Sequence, residues 1–258
     1  MKKAVIVLLL ICMCQLFVFS TGSKLIDAID SNAGIETISS LAETSDIDAT
    51  DYYGWNALWH ELVKGESASS EVVGILVSAG VDTNAGRYYG SYSPLMYALS
   101  QCGNGVVLEL LKSETLDVNV QDSYGKNALF YELAKNEKAS IEIVNGLIDK
   151  GIDCNVGNFW GYPPLIYAIT LCSDEIVMGI LGSDTIDANI SDSYGRSALF
   201  SELTKNGECS VEVVTLLMEK GANPNAGSYW GYSPVDYAQY NCSNTVFKVL
   251  KEYQKNYN

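Results

Sequence analysis

Histidine is nearly missing from this chain: His60 is the single one among 258 residues. That scarcity removes the usual general base and the commonest metal ligand from most of the sequence. Basic residues are also few. Sixteen Lys and Arg stand against 31 Asp and Glu, for a net charge of −15, and Lys2 and Lys3 set aside, the remainder is more acidic still. Such a field repels phosphate, which excludes nucleic acid and anionic lipid as general ligands. Solubility is its plain consequence, and a basic protein partner the sharper one. With only 5 Pro, and 22 Gly spread along the chain, the composition is neither fibrous nor disordered. After residue 22 there is no metal-ligand spacing, no nucleophile–base pairing and no Gly-rich phosphate loop. Catalytic residues, metal ligands and cofactors are therefore all expected to be none, and the chain is read as a non-enzyme.

Long apolar runs are equally scarce, with one exception. Lys2 and Lys3 precede Ala4–Phe19, which is apolar apart from its cysteines and Gln15, and Val18-Phe19-Ser20 and Ser20-Thr21-Gly22 place small residues at cleavage positions. This is the layout of a secretory signal peptide over residues 1–22. It predicts a secreted, periplasmic or otherwise extracytoplasmic protein, anchored to a membrane through residues 1–22 if the segment is uncleaved or lipidated. The run is short of the ~20 residues a span needs, and Ile11 and Met13 are bulky ahead of Cys12 and Cys14, where a lipidation signal has a small residue. No later stretch is apolar enough to span.

What the sequence does have is a period. Ala98, Ala168 and Ala238 close three versions of one stretch and lie 70 residues apart. The middle version reads Gly157-Asn158-Phe159-Trp160-Gly161-Tyr162-Pro163-Pro164-Leu165-Ile166-Tyr167-Ala168. A second kind of unit alternates with it: Tyr53-Gly54-Trp55-Asn56-Ala57-Leu58, Tyr124-Gly125-Lys126-Asn127-Ala128-Leu129 and Tyr194-Gly195-Arg196-Ser197-Ala198-Leu199. Two unlike units thus make one period, and a fixed period of this size marks a repeat array. The second helices end in Ala79-Gly80-Val81-Asp82-Thr83-Asn84, Lys150-Gly151-Ile152-Asp153-Cys154-Asn155 and Lys220-Gly221-Ala222-Asn223-Pro224-Asn225. Glycine there provides a left-handed cap. Ser69, Ser140 and Ser210 fit as N-caps of the second helices, each with Glu two residues on.

These units resemble the ankyrin repeat, whose unit of about 33 residues is a β-turn and two helices around a Thr-Pro-Leu-His-x-Ala motif. Ser93-Pro94-Leu95-Met96-Tyr97-Ala98, Pro163-Pro164-Leu165-Ile166-Tyr167-Ala168 and Ser233-Pro234-Val235-Asp236-Tyr237-Ala238 stand for that motif. The motif histidine is replaced throughout by Trp59, Met96, Phe130, Ile166, Phe200 and Asp236. The resemblance implies an all-α fold, an ankyrin-type α-solenoid of about seven helix-turn-helix units with protruding β-turn or hairpin fingers. Residues 23–258 form the array: an N-terminal cap repeat at 23–50, internal repeats at 51–88, 89–121, 122–158, 159–191 and 192–228, and a C-terminal repeat at 229–258.

Function, on this reading, lies in binding. Aromatic residues flank the turn glycines, and in ankyrin-like arrays these turns project as fingers beside a concave face. The candidate partner-binding residues are Tyr52, Tyr53, Trp55, Tyr88, Tyr89, Tyr92, Tyr124, Phe159, Trp160, Tyr162, Tyr194, Tyr229, Trp230 and Tyr232. Exposed Tyr and Trp dominate interface energetics; the competing reading is that each ring stacks on the next finger and stiffens it. The expected partner is another protein, bound by a monomer; the alternative is a small ligand or a glycan on the same rings. His60 reads as structural. Glu61, Glu132 and Glu202, each three residues before Lys64, Lys135 or Lys205, are read in two ways. One is an acidic row on a face; the other is carboxylates satisfied by that lysine or by the Tyr97, Tyr167 or Tyr237 hydroxyl. Cys102, Cys172 and Cys242 share the 70-residue period, which puts them near ~20 Å apart, too far for mutual disulfides. They read as small buried residues, and a bridge from Cys209 to Cys172 or Cys242 is the second reading. Cleavage of the signal leaves five cysteines, an odd count for an oxidising compartment.

Overall fold

The computed structural model describes residues 23–86, 92–205, 209–226 and 231–255. Residues 1–22, expected to be a signal peptide, and Tyr88, Tyr89, Tyr229 and Trp230 lie outside them. The described residues form fourteen α-helices, with one isolated bridge, Ser191 to Ser197, and no strand. They fall into two compact units, one up to Leu116 and one from Asp117, whereas the sequence reading treats 23–258 as one array. The cut lies in the loop after the third helix pair.

In the first unit, α1 (Lys24–Asp30) pairs with α2 (Ile35–Thr44), α3 (Ala57–Leu62) with α4 (Ser70–Ser78), and α5 (Pro94–Gln101) with α6 (Asn104–Leu111). The second unit pairs α7 (Ala128–Leu133) with α8 (Ile141–Asp149), α9 (Pro164–Leu171) with α10 (Asp174–Leu181), α11 (Ala198–Leu203) with α12 (Val211–Glu219), and α13 (Pro234–Asn241) with α14 (Asn244–Gln254). Within each unit, first helices pack on first helices and second on second: α1 on α3 on α5, and α8 on α10 on α12 on α14.

The helix boundaries follow from local chemistry. Pro94, Pro164 and Pro234 open their helices, where a missing N–H costs nothing. Ser69, Ser140 and Ser210 accept from the backbone N–H of Val72, Ile143 and Val213, as cap residues should. The positions that would hold the motif histidine are core: Trp59, Met96, Phe130, Ile166 and Phe200 are all buried. Asp236, in the last pair, is exposed and accepts from the Ser233 hydroxyl at 2.6 Å.

The three glutamates are buried, so the acidic-row reading is set aside. Glu61 accepts from Lys64 Nζ at 2.7 Å and from the Ser69 backbone N–H at 2.6 Å; Glu132 does the same with Lys135 and Ser140 at 2.7 and 2.6 Å. Each carboxylate thus ties the end of a first helix to the cap of the second. Tyr97, Tyr167 and Tyr237 instead set their rings against Trp59, Phe130 and Phe200, with centroids 5.5, 5.9 and 5.3 Å apart. The third copy departs from the pattern. Glu202 Oε1 accepts from Ser210 N–H at 2.8 Å, but Lys205 turns to Asp174 at 2.8 Å and stands 3.9 Å from Glu202 Oε2. Glu202 Oε2 accepts no hydrogen bond. Burial accordingly raises the Glu202 carboxyl above its ordinary pKa, against the opposing pull of the Ser210 N–H and Lys205.

A second connection was not foreseen from the sequence. The amide of Asn119 donates to Gly151 O and its oxygen accepts from Asp153 N–H, at 2.9 and 2.7 Å. Asn155 bridges Thr185 O and Asp187 N–H in the same way, and Asn189 bridges Gly221 O and Asn223 N–H. One asparagine in each of these three loops therefore clamps its loop to the next one along.

Replacing Glu132 by Ala takes the carboxylate away from the half-buried Ser140 N–H and from Lys135, and is expected to lower stability by about 2–4 kcal/mol in urea unfolding. Glu202 should behave differently. Because its folded pKa is raised, its contribution is complete below the unfolded carboxyl pKa and is lost as pH rises through the folded value. Glu202→Gln is therefore expected to lose less stability than the parent as pH rises from the unfolded carboxyl value through the folded one; an equal loss contradicts the assignment.

Candidate interaction surface

Four of the fingers are each built on one acidic or amide side chain at the base. Asp51, Asp122, Asn158 and Asp192 each lie three residues before a glycine with positive φ: Gly54, Gly125, Gly161 and Gly195. Asp122 Oδ1 accepts from the backbone N–H of Tyr124 (2.7 Å) and Lys126 (2.9 Å), and its Oδ2 accepts from the Tyr131 hydroxyl (2.6 Å). Asn158 Oδ1 accepts from Trp160 and Tyr162, both at 3.1 Å. Asp51 and Asp192 hold their turns alike. The backbone closes the same loop: Asp122 N–H donates to Lys126 O, and Gly125 N–H to Asp122 O. At Gly161, φ is +73°, and an added Cβ would also meet the Ser193 side chain at 3.0 Å. With its base turned inward, the turn pushes the residues just before glycine into solvent.

This explains which rings are exposed. Tyr52 is 92% exposed, Tyr53 78%, Phe159 78% and Trp160 52%. Tyr124, Tyr194 and Tyr232 are exposed too, while Trp55, Tyr92 and Tyr162 are half-buried. In the first unit, Trp55 stacks on the buried Trp59 at 5.7 Å, and Trp59 Nε1 donates to Ala85 O. His60 sits beneath this group, between Asp30 (2.9 Å) and Asp51 (3.3 Å), a structural position as expected.

In the second unit, neighbouring fingers join through their rings. Phe159 N–H donates to Tyr124 O at 2.7 Å, Tyr124 lies parallel to Trp160 at 5.8 Å, and Phe159 meets Trp160 edge-on at 6.1 Å. Lys126 Nζ lies 5.8 Å from the Trp160 ring centre. Tyr162 meets Tyr194 edge-on at 6.4 Å, and Arg196 covers Tyr194 while pairing with Asp192. The two readings of the rings therefore hold together at Tyr124, Trp160 and Tyr194, which each pack on a neighbour and still face water.

Beside these fingers, the second unit has a groove of about 860 Å³ lined by Thr170, Arg196, Phe200, Ser201, Thr204, Lys205, Tyr232, Tyr237, Tyr240 and Asn241. Only Tyr232 among these was a sequence candidate. Burial works against the Lys205 charge, but Asp174 and Glu202 outweigh it and hold its pKa up. Burial likewise opposes the Asp174 charge, and Lys205 overcomes it, keeping that carboxyl low. Ser201 Oγ, buried in this wall, has no hydrogen-bond partner. The recurring Asp/Asn-x-x-Gly spacing was the readable signal for the finger bases. Nothing local in the sequence marks Tyr237, Tyr240 and Lys205 as neighbours across a groove.

A family model described as ankyrin repeats, three copies, matches residues 95–192. Residues 95–192 thus match ankyrin repeats. Its fold is similar to the crystal structure of the ankyrin repeat domain of Bcl-3, with a TM-score of 0.60 at 20% identity, covering 89% of this chain and 98% of that one. In sequence, 148 residues are 28% identical to the transient receptor potential cation channel subfamily A member 1 of Homo sapiens, covering 55% of this chain and 13% of the channel. A probable serine/threonine-protein kinase of Dictyostelium discoideum is 33% identical over 97 residues, covering 37% of this chain and 11% of the kinase. The chain thus spans only a small part of these relatives.

Finger base and finger ring should separate in stability measurements. Asp122→Ala removes three hydrogen bonds from a buried carboxylate and is expected to cost about 2–3 kcal/mol. Trp160→Ala trims a half-exposed ring and is expected to cost about 1 kcal/mol or less. Equal costs in urea unfolding of the full chain would mean that the ring is a packing residue.

Proposed function

We propose that this chain is a non-enzymatic interaction scaffold that binds another protein through its aromatic fingers and the adjoining concave face. The observation that carries this reading is the exposure of Phe159 and Trp160 on a turn fixed by Asn158. A ring held rigid before binding loses little entropy on contact, and such rings are the usual anchors of interfaces. The net charge of −15 favours a basic partner, at a distance through steering and at contact through the rim. The coarse function agrees with ankyrin repeats generally, which commonly serve as protein-binding scaffolds without catalysis. The address proposed is extracytoplasmic, on the strength of the signal-like residues 1–22. No described helix is long and apolar enough to cross a membrane.

One observation favours a second reading. The groove lined by Tyr232, Tyr237 and Tyr240 also offers Thr170, Thr204 and Asn241, a mixture of rings and hydrogen-bonding groups that suits a glycan or other small polar ligand.

Immobilised full chain should capture a protein from the extracellular fraction of its source, and Phe159→Ala with Trp160→Ala should reduce capture at least about tenfold with the fold intact. Undiminished capture removes the fingers from the interface. Binding on a glycan array with no captured protein selects the second reading. For the address, mass spectrometry of the secreted protein should find Thr21 or Ser23 at its N-terminus; a lipid on Cys12 or Cys14 contradicts cleavage at those sites.

A further inference from the structure

Cys102, Cys172 and Cys242 each follow a first helix that opens on proline, as C-caps of α5, α9 and α13. Their sulfurs face the same target in each copy: the carbonyl of Leu62 (3.5 Å), Leu133 (3.6 Å) or Leu203 (3.9 Å), the last residue of the preceding pair's first helix. The connector that leaves this leucine runs to the N-cap serine of the second helix. Its short 3-10 turns, Gly65–Ser67 and Asn136–Lys138, pack on α5 and α9. In those two copies the residue before the N-cap serine is Ala68 or Ala139; in the third it is Cys209. A thiol thus replaces a methyl at the place that faces the recurring cysteine. The Cys242 thiol lies close enough to Cys209 for the two side chains to interact, and Cys102, Cys154, Cys172, Cys209 and Cys242 all stand as thiols in this structure.

We infer that Cys209 and Cys242 form an oxidisable pair, which a low-molecular-weight disulfide such as oxidised glutathione converts into a bridge between the last two helix pairs. The Cys209 thiolate attacks one sulfur of oxidised glutathione, breaking its S–S bond and releasing one glutathione thiolate. Cys242 then attacks the Cys209 sulfur of the mixed disulfide, expels the second glutathione and gives up its proton to it. Two protein thiols are oxidised to one disulfide, and one glutathione disulfide is reduced to two thiols. Burial first, then Cys209 and Glu202 beside it, push the Cys242 thiol up to about 12, which leaves it little thiolate for the opening step and suits it to the second.

The bridge has a defined structural consequence. Thr204 and Lys205 lead into the connector, Tyr240 and Asn241 directly precede Cys242, and all four line the groove. Closing it ties two walls of that groove together and fastens α13 and α14, which have a neighbouring pair on one side only among the described residues. The chemistry stands apart from the proposed cellular address and from the identity of any partner.

Incubating the full chain with oxidised glutathione should lower its mass by two hydrogens and yield, on non-reducing digestion, one peptide pair linking Cys209 to Cys242. Its thermal midpoint should rise about 5 °C or more above that in dithiothreitol, because a closed loop restricts the unfolded chain. Cys209→Ala restores the residue of the two earlier copies; it should fold and lose both the linked peptide and the redox-dependent shift. A Cys172–Cys209 link overturns the inference, as does a glutathione adduct that never resolves. So does a shift that persists in Cys209→Ala.

Discussion

The described helices of this protein run from six residues, as in α3, to eleven in α14, and that shortness is the constraint on which everything else rests. Isolated helices below about 12–15 residues are marginal at best. Stability must therefore come from the faces that one helix pair presents to the next, as in other repeat arrays. Apolar faces supply the driving force but little direction, since burying Leu165 or Ile176 is favourable in many registers. Direction comes from polar groups at the edges. Asn119, Asn155 and Asn189 each bond two backbone groups of the following repeat, and the buried Glu61 and Glu132 fix the two helices within a pair. The stack is driven by leucine, isoleucine and valine and registered by asparagine and glutamate.

The fingers inherit their rigidity from that registration. Asp122, Asn158 and Asp192 are buried at the finger bases, where they convert a glycine turn into a platform. Surface rings such as Phe159 and Trp160 are then held without having to pack completely. The same economy of parts allows local departures. Lys205 leaves the position taken by Lys64 and Lys135 and pairs with Asp174, and this coincides with the groove wall that carries an unpartnered Ser201 hydroxyl. Departures of this kind, set against two copies that keep the rule, are where individuality in a repeat protein is concentrated.

Much of the architecture could be read from the residues because repeats state each rule several times. The 70-residue period, the prolines at helix starts, Ser69, Ser140 and Ser210 as caps, and the glycine ends all reappear in the structure, since each depends on local backbone chemistry. The glutamates were only half legible. Their lysine partners lie one helical turn away and were foreseen, but the Ser69, Ser140 and Ser210 N–H groups are reached through a folded connector, which spacing does not reveal. The asparagine clamps were missed for the same reason: Asn155 meets Asp187, 32 positions on, and only the stacked fold brings them together. Ring exposure was ambiguous because a tyrosine beside a turn glycine serves packing and recognition equally well in sequence. The carboxylate beneath it decides.

The central claim is that the fingers are shaped before any partner arrives. Native-state hydrogen exchange of the free protein tests this most directly, at the Tyr124, Lys126, Trp160 and Tyr162 amides bonded to Asp122 and Asn158. Preorganised fingers predict protection of at least about 100-fold over an unstructured chain at these four amides. Exchange at the unprotected rate would contradict it, leaving the rings on loops that take their shape only on binding.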